Sequence, residues 1–428
     1  GESFTIPAEK ADTRNITHSS GTAEREPAWS RDGKWVSYFS DRSGEYALVI
    51  ESQDGITAPR EIAIRNAKHY YTSSWSPDSK KILYTDTDFN VWVMDVASGQ
   101  PKLLGNDPWA VPSRTLNPTW SPDSKWVAYA SRLNTLYRAI FVANVETGEK
   151  KQVTDGLADA MFPVWDPNGK YLWFFASTDF GLRSQWLDMT SYDREENFGL
   201  YLAILKKGEA SPLLPESDED KGAPLEAPRA SASPAASPAP DATASPSPAA
   251  AGASSAPVNV VIDFDGLQQR IVSVAGVPER QYSELKVGLS GSVYYLQAPD
   301  AGGGARGSTL HRYKLSDRKT AVFVTGVAEY DVSADGKKLL YRTPAPGGGP
   351  GGPPPAAGAP ESRPSLFLVD ADKTPPTAGQ GRLDVTLRMN VDPKAEFTQM
   401  FNEGWRNQRD YLYVPNLQGA DWPKVKQM

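Results

Sequence analysis

The chain has 428 residues, a formal net charge of −7, three histidines and no cysteine. That composition excludes disulfides, thiolate metal sites and a cysteine nucleophile. It makes a histidine-based metal site unexpected, and it lacks the basic balance of a nucleic-acid footprint. Mean hydropathy is −0.48, and no apolar run approaches the ~18 residues of a spanning helix. Neither a membrane nor a nucleic acid is therefore an expected partner, and no cofactor is expected. The opening GESFTIPAEK has neither the basic region nor the apolar core of a secretory leader. With the closing DWPKVKQM, it reads as part of a longer protein.

The first two short segments, SFTIPAEK (3–10) and RNITHSS (14–20), read as the third and fourth strands of a unit whose start lies outside the sequence. A repeat follows. PAWSRDGKWVSYFSD, SSWSPDSKKILYTD, NPTWSPDSKWVAYAS and FPVWDPNGKYLWFFAS place Trp29, Trp75, Trp120 and Trp165 at intervals of 46, 45 and 45 residues. Weaker copies surround Ser290 (VGLSGSVYYLQ) and Ser333 (YDVSADGKKLLYRT).

Each copy reads as strand, tight turn, strand. Ser, Pro or Arg, Asp, then Ser or Gly is turn chemistry. The run after it is rich in aromatic and β-branched residues. A third strand is expected at EYALVI (45–50), NVWVMDV (90–96), AIFVANV (139–145), LYLAIL (200–205), LHRYKL (310–315) and SLFLVD (365–370). A fourth, such as REIAI or PKLLG, is expected to open the next unit. Four short antiparallel strands at a period near 45 define an all-β fold, a β-propeller, with six visible blades and part of a seventh. A seven-bladed ring with a truncated first blade is the favoured count, and a closed six-bladed ring the alternative. The tryptophans are expected to pack between blades. Asp32, Asp78, Asp123 and Asp166 are expected to brace their own turns rather than bind ligands.

Residues 222–257 and 344–364 are almost wholly Ala, Pro, Ser and Gly, and are expected to be loops inserted within blades. The propeller is assigned to 1–390 and a separate helical segment to 391–428. There Asp392 suits an N-cap and Pro393 the first helical position. Phe397, Met400, Phe401, Trp405 and Leu412 give one apolar stripe, with Arg406, Arg409 and Asp410 among the polar positions. Pro415 is expected to end the helix, and the stripe to be covered by something outside the chain.

Catalytic motifs are weak. Gly302, Gly304 and Gly307 match GxGxxG but lie between strands. TDTDFN (85–90) has Val91 where a calcium loop needs Gly, and IDFDG (262–266) has Val274 at its closing position. Asn15, Ile16 and Thr17 form a glycosylation acceptor sequence, relevant only in a eukaryotic secretory setting. There is no GxSxG elbow and no HExxH. His18, His69 and His311 are read as surface or packing residues. No catalytic, cofactor-binding or metal-binding residue is assigned.

Several stretches together resemble the tricorn protease family. They are TRNITHSSGTAEREPAWSRDGKWVSYFSDRSGEY (13–46), YYTSSWSPDSKKILYTDTDFNVWVMDVASG (70–99), VTDGLADAMFPVWDPNGKYLWFFASTD (153–179), QWLDMTSYDR (185–194) and, most specifically, 391–428 after the propeller. The resemblance implies a large serine peptidase that trims peptides. In it two propellers precede a helical catalytic subdomain, a PDZ-like domain and a second catalytic subdomain. This chain would be the second propeller, a channel for peptide substrates, and the start of the first catalytic subdomain. It would lack the catalytic serine and its partners and be inactive alone. A homo-oligomer is implied for the full-length protein, in the cytoplasm, with the periplasm as alternative. A non-enzymatic TolB-like scaffold that binds a protein is the alternative function. The propeller cap of a prolyl-oligopeptidase-type enzyme is a third.

Overall fold

The computed structural model describes residues 1–64, 68–109, 116–179, 196–214, 258–299, 306–345, 364–412, 414 and 416–428. Six four-stranded antiparallel sheets follow one another along the chain, each with its strands in sequence order. Blade 1 consists of Glu24–Trp29, Trp35–Ser40, Ala47–Ser52 and Arg60–Ala63. Blades 2 to 6 span 70–106, 119–152, 159–273, 282–327 and 329–383. All six expected third strands are present within two residues of their predicted starts. The fourth strand differs from expectation: Arg60–Ala63 pairs with Ala47–Ile50 and so closes its own blade. A short turn makes that local antiparallel pairing accessible without a crossover.

The blades stack face to face because side chains alternate across each strand. In blade 1, Phe39, Leu48 and Ile50 face blade 2 and pack with Tyr70, Trp75, Ile82, Tyr84 and Met94. Val36, Tyr38 and Val49 point the other way and meet Ile16. That residue follows a two-stranded sheet in which Phe4 pairs with Asn15 and Thr5 with Arg14. The two opening segments thus form the outer strands of a partial further blade against blade 1. The first strands of successive blades touch one another, which places them nearest the ring axis.

The tryptophans occupy the seams as expected. Trp75 Nε1 donates to the Ala28 carbonyl at 3.1 Å, Trp120 Nε1 to Ser74 at 3.3 Å and Trp165 Nε1 to Thr119 at 3.3 Å. Each acceptor lies on the preceding blade, 46 or 47 residues earlier. Trp29 is the exception, with 49% of its surface exposed.

Insertion 222–257 and nearly all of 344–364 lie outside the described residues, as do Gly302, Gly304 and the 185–194 stretch of the resemblance. By chain order the first insertion falls between the third and fourth strands of blade 4, the second between the second and third strands of blade 6. Helix α1 (Pro393–Tyr411) follows the propeller, and a one-turn helix, α2 (Trp422–Gln427), follows it. Asp392 caps α1 by accepting from the amides of Lys394 and Ala395 at 3.0 and 3.3 Å. The helix stops at Tyr411, short of Pro415.

Candidate functional site

The turn aspartates bond to their own turns or to the neighbouring blade. In the first, Asp32 accepts from Ser30 Oγ at 2.5 Å and from the Lys34 amide at 3.1 Å. Asp78, Asp123 and Asp335 bond the serine two residues earlier in the same way. Asp166, which has no such serine, accepts from Ser290 Oγ and the Gly291 amide on blade 5. Asp86 of TDTDFN accepts from the Asp88 and Asn90 amides and from Trp92 Nε1, so its lone pairs serve the turn. Asp263 of IDFDG accepts from the Lys207 amide. Asn15 of the acceptor sequence donates to Glu2 and accepts from the Thr17 and His18 amides.

The opposite end of the blades, where second strands turn into third strands, holds the one elaborate polar constellation among the described residues. Helix α1 lies there on blades 1 and 2. Gln399, Glu403, Arg406 and Asp410 are spaced by four, three and four residues, so they share one helix face. All four reach the propeller. Gln399 Nε2 bonds Asp41 at 3.3 Å. Arg406 forms an ion pair with Asp41, with both side chains at most 4% exposed, and donates to the Gly44 carbonyl at 2.8 Å. Asp41 also accepts from the Ala23 amide. Glu403 accepts from Tyr46 Oη at 2.9 Å and pairs with Arg25 at 2.6 Å. Beside the stripe, Arg409 grips Glu45 through two bonds of 2.6 and 2.9 Å, the fork geometry that makes such pairs strong.

His69 completes the cluster. Its Nδ1 lies 3.0 Å from Asp410 Oδ2 and its Nε2 3.2 Å from Glu403 Oε1. Its ring packs between those of Tyr46 and Tyr411. Burial alone lowers its pKa, but hydrogen bonds to Asp410 and Glu403, with their charge, outweigh that and raise it. Burial likewise opposes ionisation of Glu403, yet bonds from His69, Tyr46 and Arg406 hold its carboxyl down at about 2. The Asp410 carboxyl is depressed too, against burial, by His69 and Arg409.

The helix therefore docks by its polar face. Arg406 is its buried residue, whereas Phe397, Met400 and Phe401 are 54–68% exposed. Of the stripe predicted to need an outside cover, Phe397, Met400 and Phe401 stay exposed, whereas Trp405 stacks on Trp422 of α2. The polar positions, by contrast, make the contact because every charge there meets an opposite one. The sequence reads His69 as a surface or packing residue; its ring is packed, but it also meets two carboxylates, 334 and 341 residues away in sequence. The four-three-four spacing of polar residues was the available signal for α1. Nothing local marked His69.

The other histidines do not converge on a nucleophile. His311 stacks on Tyr295, both its ring nitrogens are buried without partners, and burial lowers its pKa. His18 is exposed. A cleft of about 750 Å³ opens at the turn end of blades 4 to 6, lined by Asn168, Ser290, Lys314, Arg318 and Asp372 among others. No histidine lines it. No group of ligating side chains suited to a metal ion occurs among the described residues, and no helix there is long and apolar enough to cross a membrane.

The structure is thus a propeller of four-stranded blades with a helix docked on its rim by buried charge. The chain belongs to the tricorn protease family: residues 1–345 match the family's model of the tricorn protease second beta propeller domain, and 393–428 match that of the tricorn protease C1 domain. It is 25% identical over 429 aligned residues to tricorn protease homolog 1 of Streptomyces coelicolor, covering 96% of this chain and 36% of that protein. It is 22% identical to a tricorn protease homolog of Saccharolobus solfataricus, covering 85% and 29%. A crystal structure of the tricorn protease superposes on the whole chain with a TM-score of 0.67 at 15% identity, using 37% of that structure. The chain thus spans about a third of the length of these relatives.

Proposed function

We propose that the chain is the substrate-gating propeller and the opening of the catalytic region of a tricorn-like serine peptidase that trims peptides. The observation that carries this reading is the position of α1. The segment matching the C1 domain is bound to blade 1 by its charged face and leaves an apolar face open. An axial passage between the first strands would suit extended chains and exclude folded ones. Catalytic serine, histidine and their partners belong to segments other than these. The protein then acts on peptides as a full-length homo-oligomer in the cytoplasm, and this chain alone is inactive.

The test is hydrolysis of small fluorogenic peptides by the full-length protein. Cleavage blocked by a serine-directed reagent, and slowed for long peptides when the propeller passage is cross-linked, is the expected result. No cleavage would sink the peptidase reading and favour a binding scaffold. Cleavage unaffected by blocking the passage would sink gating alone.

A further inference from the structure

Both ring nitrogens of His69 face carboxylate oxygens, at 3.0 and 3.2 Å. A carboxylate is acceptor-only when ionised, and a neutral imidazole has one donor nitrogen. Satisfying both contacts therefore requires the doubly protonated ring. Charge counting agrees. Around His69 stand the cations Arg25, Arg406 and Arg409 and the anions Asp41, Glu45, Glu403 and Asp410. The fourth cation that balances the set is the imidazolium. The geometry is also interdomain: His69 leads into the first strand of blade 2, whereas both its carboxylate partners are on α1.

We propose that His69 is a proton-operated tie between propeller and helix, which holds α1 on the blades while protonated and loosens it when neutral. Glu403, Asp410 and Tyr411 face it from α1, with Arg406 and Arg409 behind them. Tyr46 faces it from the position just before the third strand of blade 1, with Glu45 behind, and Arg25 reaches the same Glu403 oxygen from the first strand. A neutral ring would leave a lone pair against a carboxylate and one negative charge in excess in a half-buried cluster. Undocked, the ring returns to an ordinary value of about 6.5. Docking thus favours the proton, and by linkage the proton favours docking. The contribution is complete below about pH 6.5 and is lost as pH rises through the raised value of the docked ring. Each pH unit that separates the docked and free values is worth about tenfold in the docking equilibrium. The device would set how firmly the propeller is held to whatever follows it, and it requires no peptidase activity to operate.

The experiment is a pair of pH titrations between 6 and 9 on the 428-residue chain. NMR of the imidazole Cε1–H groups reads His69, assigned by loss of its signal in His69→Gln. Hydrogen exchange, corrected for intrinsic rate, reads the amides of α1. The expected result is that His69 titrates above His311. The protection of α1 should then fall over that same interval, about tenfold for each pH unit by which His69 titrates above its free value. The strands of blades 3 and 4 should keep theirs. In His69→Gln, α1 protection should be low and independent of pH. Asp410→Asn should move both the His69 titration and the loss of helix protection to lower pH together, so the outcome does not depend on one variant folding. Constant α1 protection across the His69 titration would overturn the proposal. So would an unchanged fall in His69→Gln.

Discussion

Trp120 donates its indole proton to the Ser74 carbonyl, 46 residues back and one blade away. The same relationship joins Trp75 to Ala28 and Trp165 to Thr119. In blade 6, where no tryptophan is available, Tyr330 Oη donates to the Glu284 carbonyl of blade 5, again 46 residues back. Four of the five seams between consecutive blades thus carry an aromatic donor bonded to a backbone oxygen of the preceding blade, and that bond holds the stagger of the two neighbours. The ring buried at the seam supplies the apolar contribution, and the polar atom sets the register.

That division predicts an ordered series. Trp120→Ala should cost about 3–5 kcal/mol, the usual range for removing a buried large aromatic. Trp120→Phe should retain most of the packing and cost nearer 1–2 kcal/mol for the unpaired carbonyl and lost bond. Trp29 occupies the same place in its repeat but is half exposed, so Trp29→Ala should cost about 1 kcal/mol or less in this chain. Urea denaturation of the three variants checks the series. Equal losses at positions 29 and 120 would contradict it.

A second device links the turns. The last residue of each tetrad has a positive φ, met by Gly33 and Gly336 at 71° but by Ser79 at 58° and Ser124 at 62°. The serines carry a conformational cost there, and the compensation is visible. Ser79 Oγ accepts from the Asp32 amide and Ser124 Oγ from the Asp78 amide, both at 3.1 Å and both across a seam. Ser79→Gly should therefore be close to neutral, since it removes strain and bond together. Ser79→Ala keeps the strain, loses the bond and should cost about 1 kcal/mol. Thermal unfolding that ranks Ala at or above Ser would contradict this account.

Much of the propeller was legible because its physics is local. Trp, turn tetrad and aromatic strand repeat at one period, and even the degenerate copies around Ser290 and Ser333 became blades. The cap at Asp392 and Pro393 was legible for the same reason. Two features were not. REIAI and its equivalents sit beside the next repeat in sequence, so only the pairing of Arg60 with Ile50 reveals which blade owns them. The junction joins Asp41, Tyr46 and His69 to residues more than 330 positions later. No periodicity reports a contact at that separation, and polar residues on a helix read as solvated until their partners are placed.

Acid should also loosen the junction, in a range where His69 stays protonated. The carboxyl of Glu403 is held at about 2, below the ordinary value of about 4.3. A depressed carboxyl contributes stability above its free value and loses it as pH falls through its docked value. Protection of α1 should therefore decline between about pH 4.3 and 2, more steeply than that of the blade cores. Glu403→Gln should flatten the part of the slope that this residue supplies. Hydrogen exchange at pH 5, 4 and 3 measures it, and an identical slope in the variant would exclude Glu403 as its source.

Breaking the Arg406–Asp41 pair separates docking from folding. Both side chains are almost fully buried, and removing one partner of such a pair leaves an uncompensated charge at a cost of about 3–5 kcal/mol. In Arg406→Ala the stranded Asp41 still has the Ala23 amide and Gln399 as donors, which favours the lower end of that range. The chain can avoid the cost by releasing α1, because the blades are packed through their own seams and do not depend on the helix. Arg406→Ala should therefore expose Arg409 in α1 to trypsin and raise exchange of the helix amides. The melting temperature of the propeller should change by no more than about 2–4 °C. Gly21 offers a steric version of the same test. A Cβ there would sit 2.8 Å from that of Ala395, at a backbone φ of 79°, so Gly21→Ala should also lift the N-terminal end of the helix. Cooperative loss of the blades in Arg406→Ala would instead make the helix an integral part of the propeller.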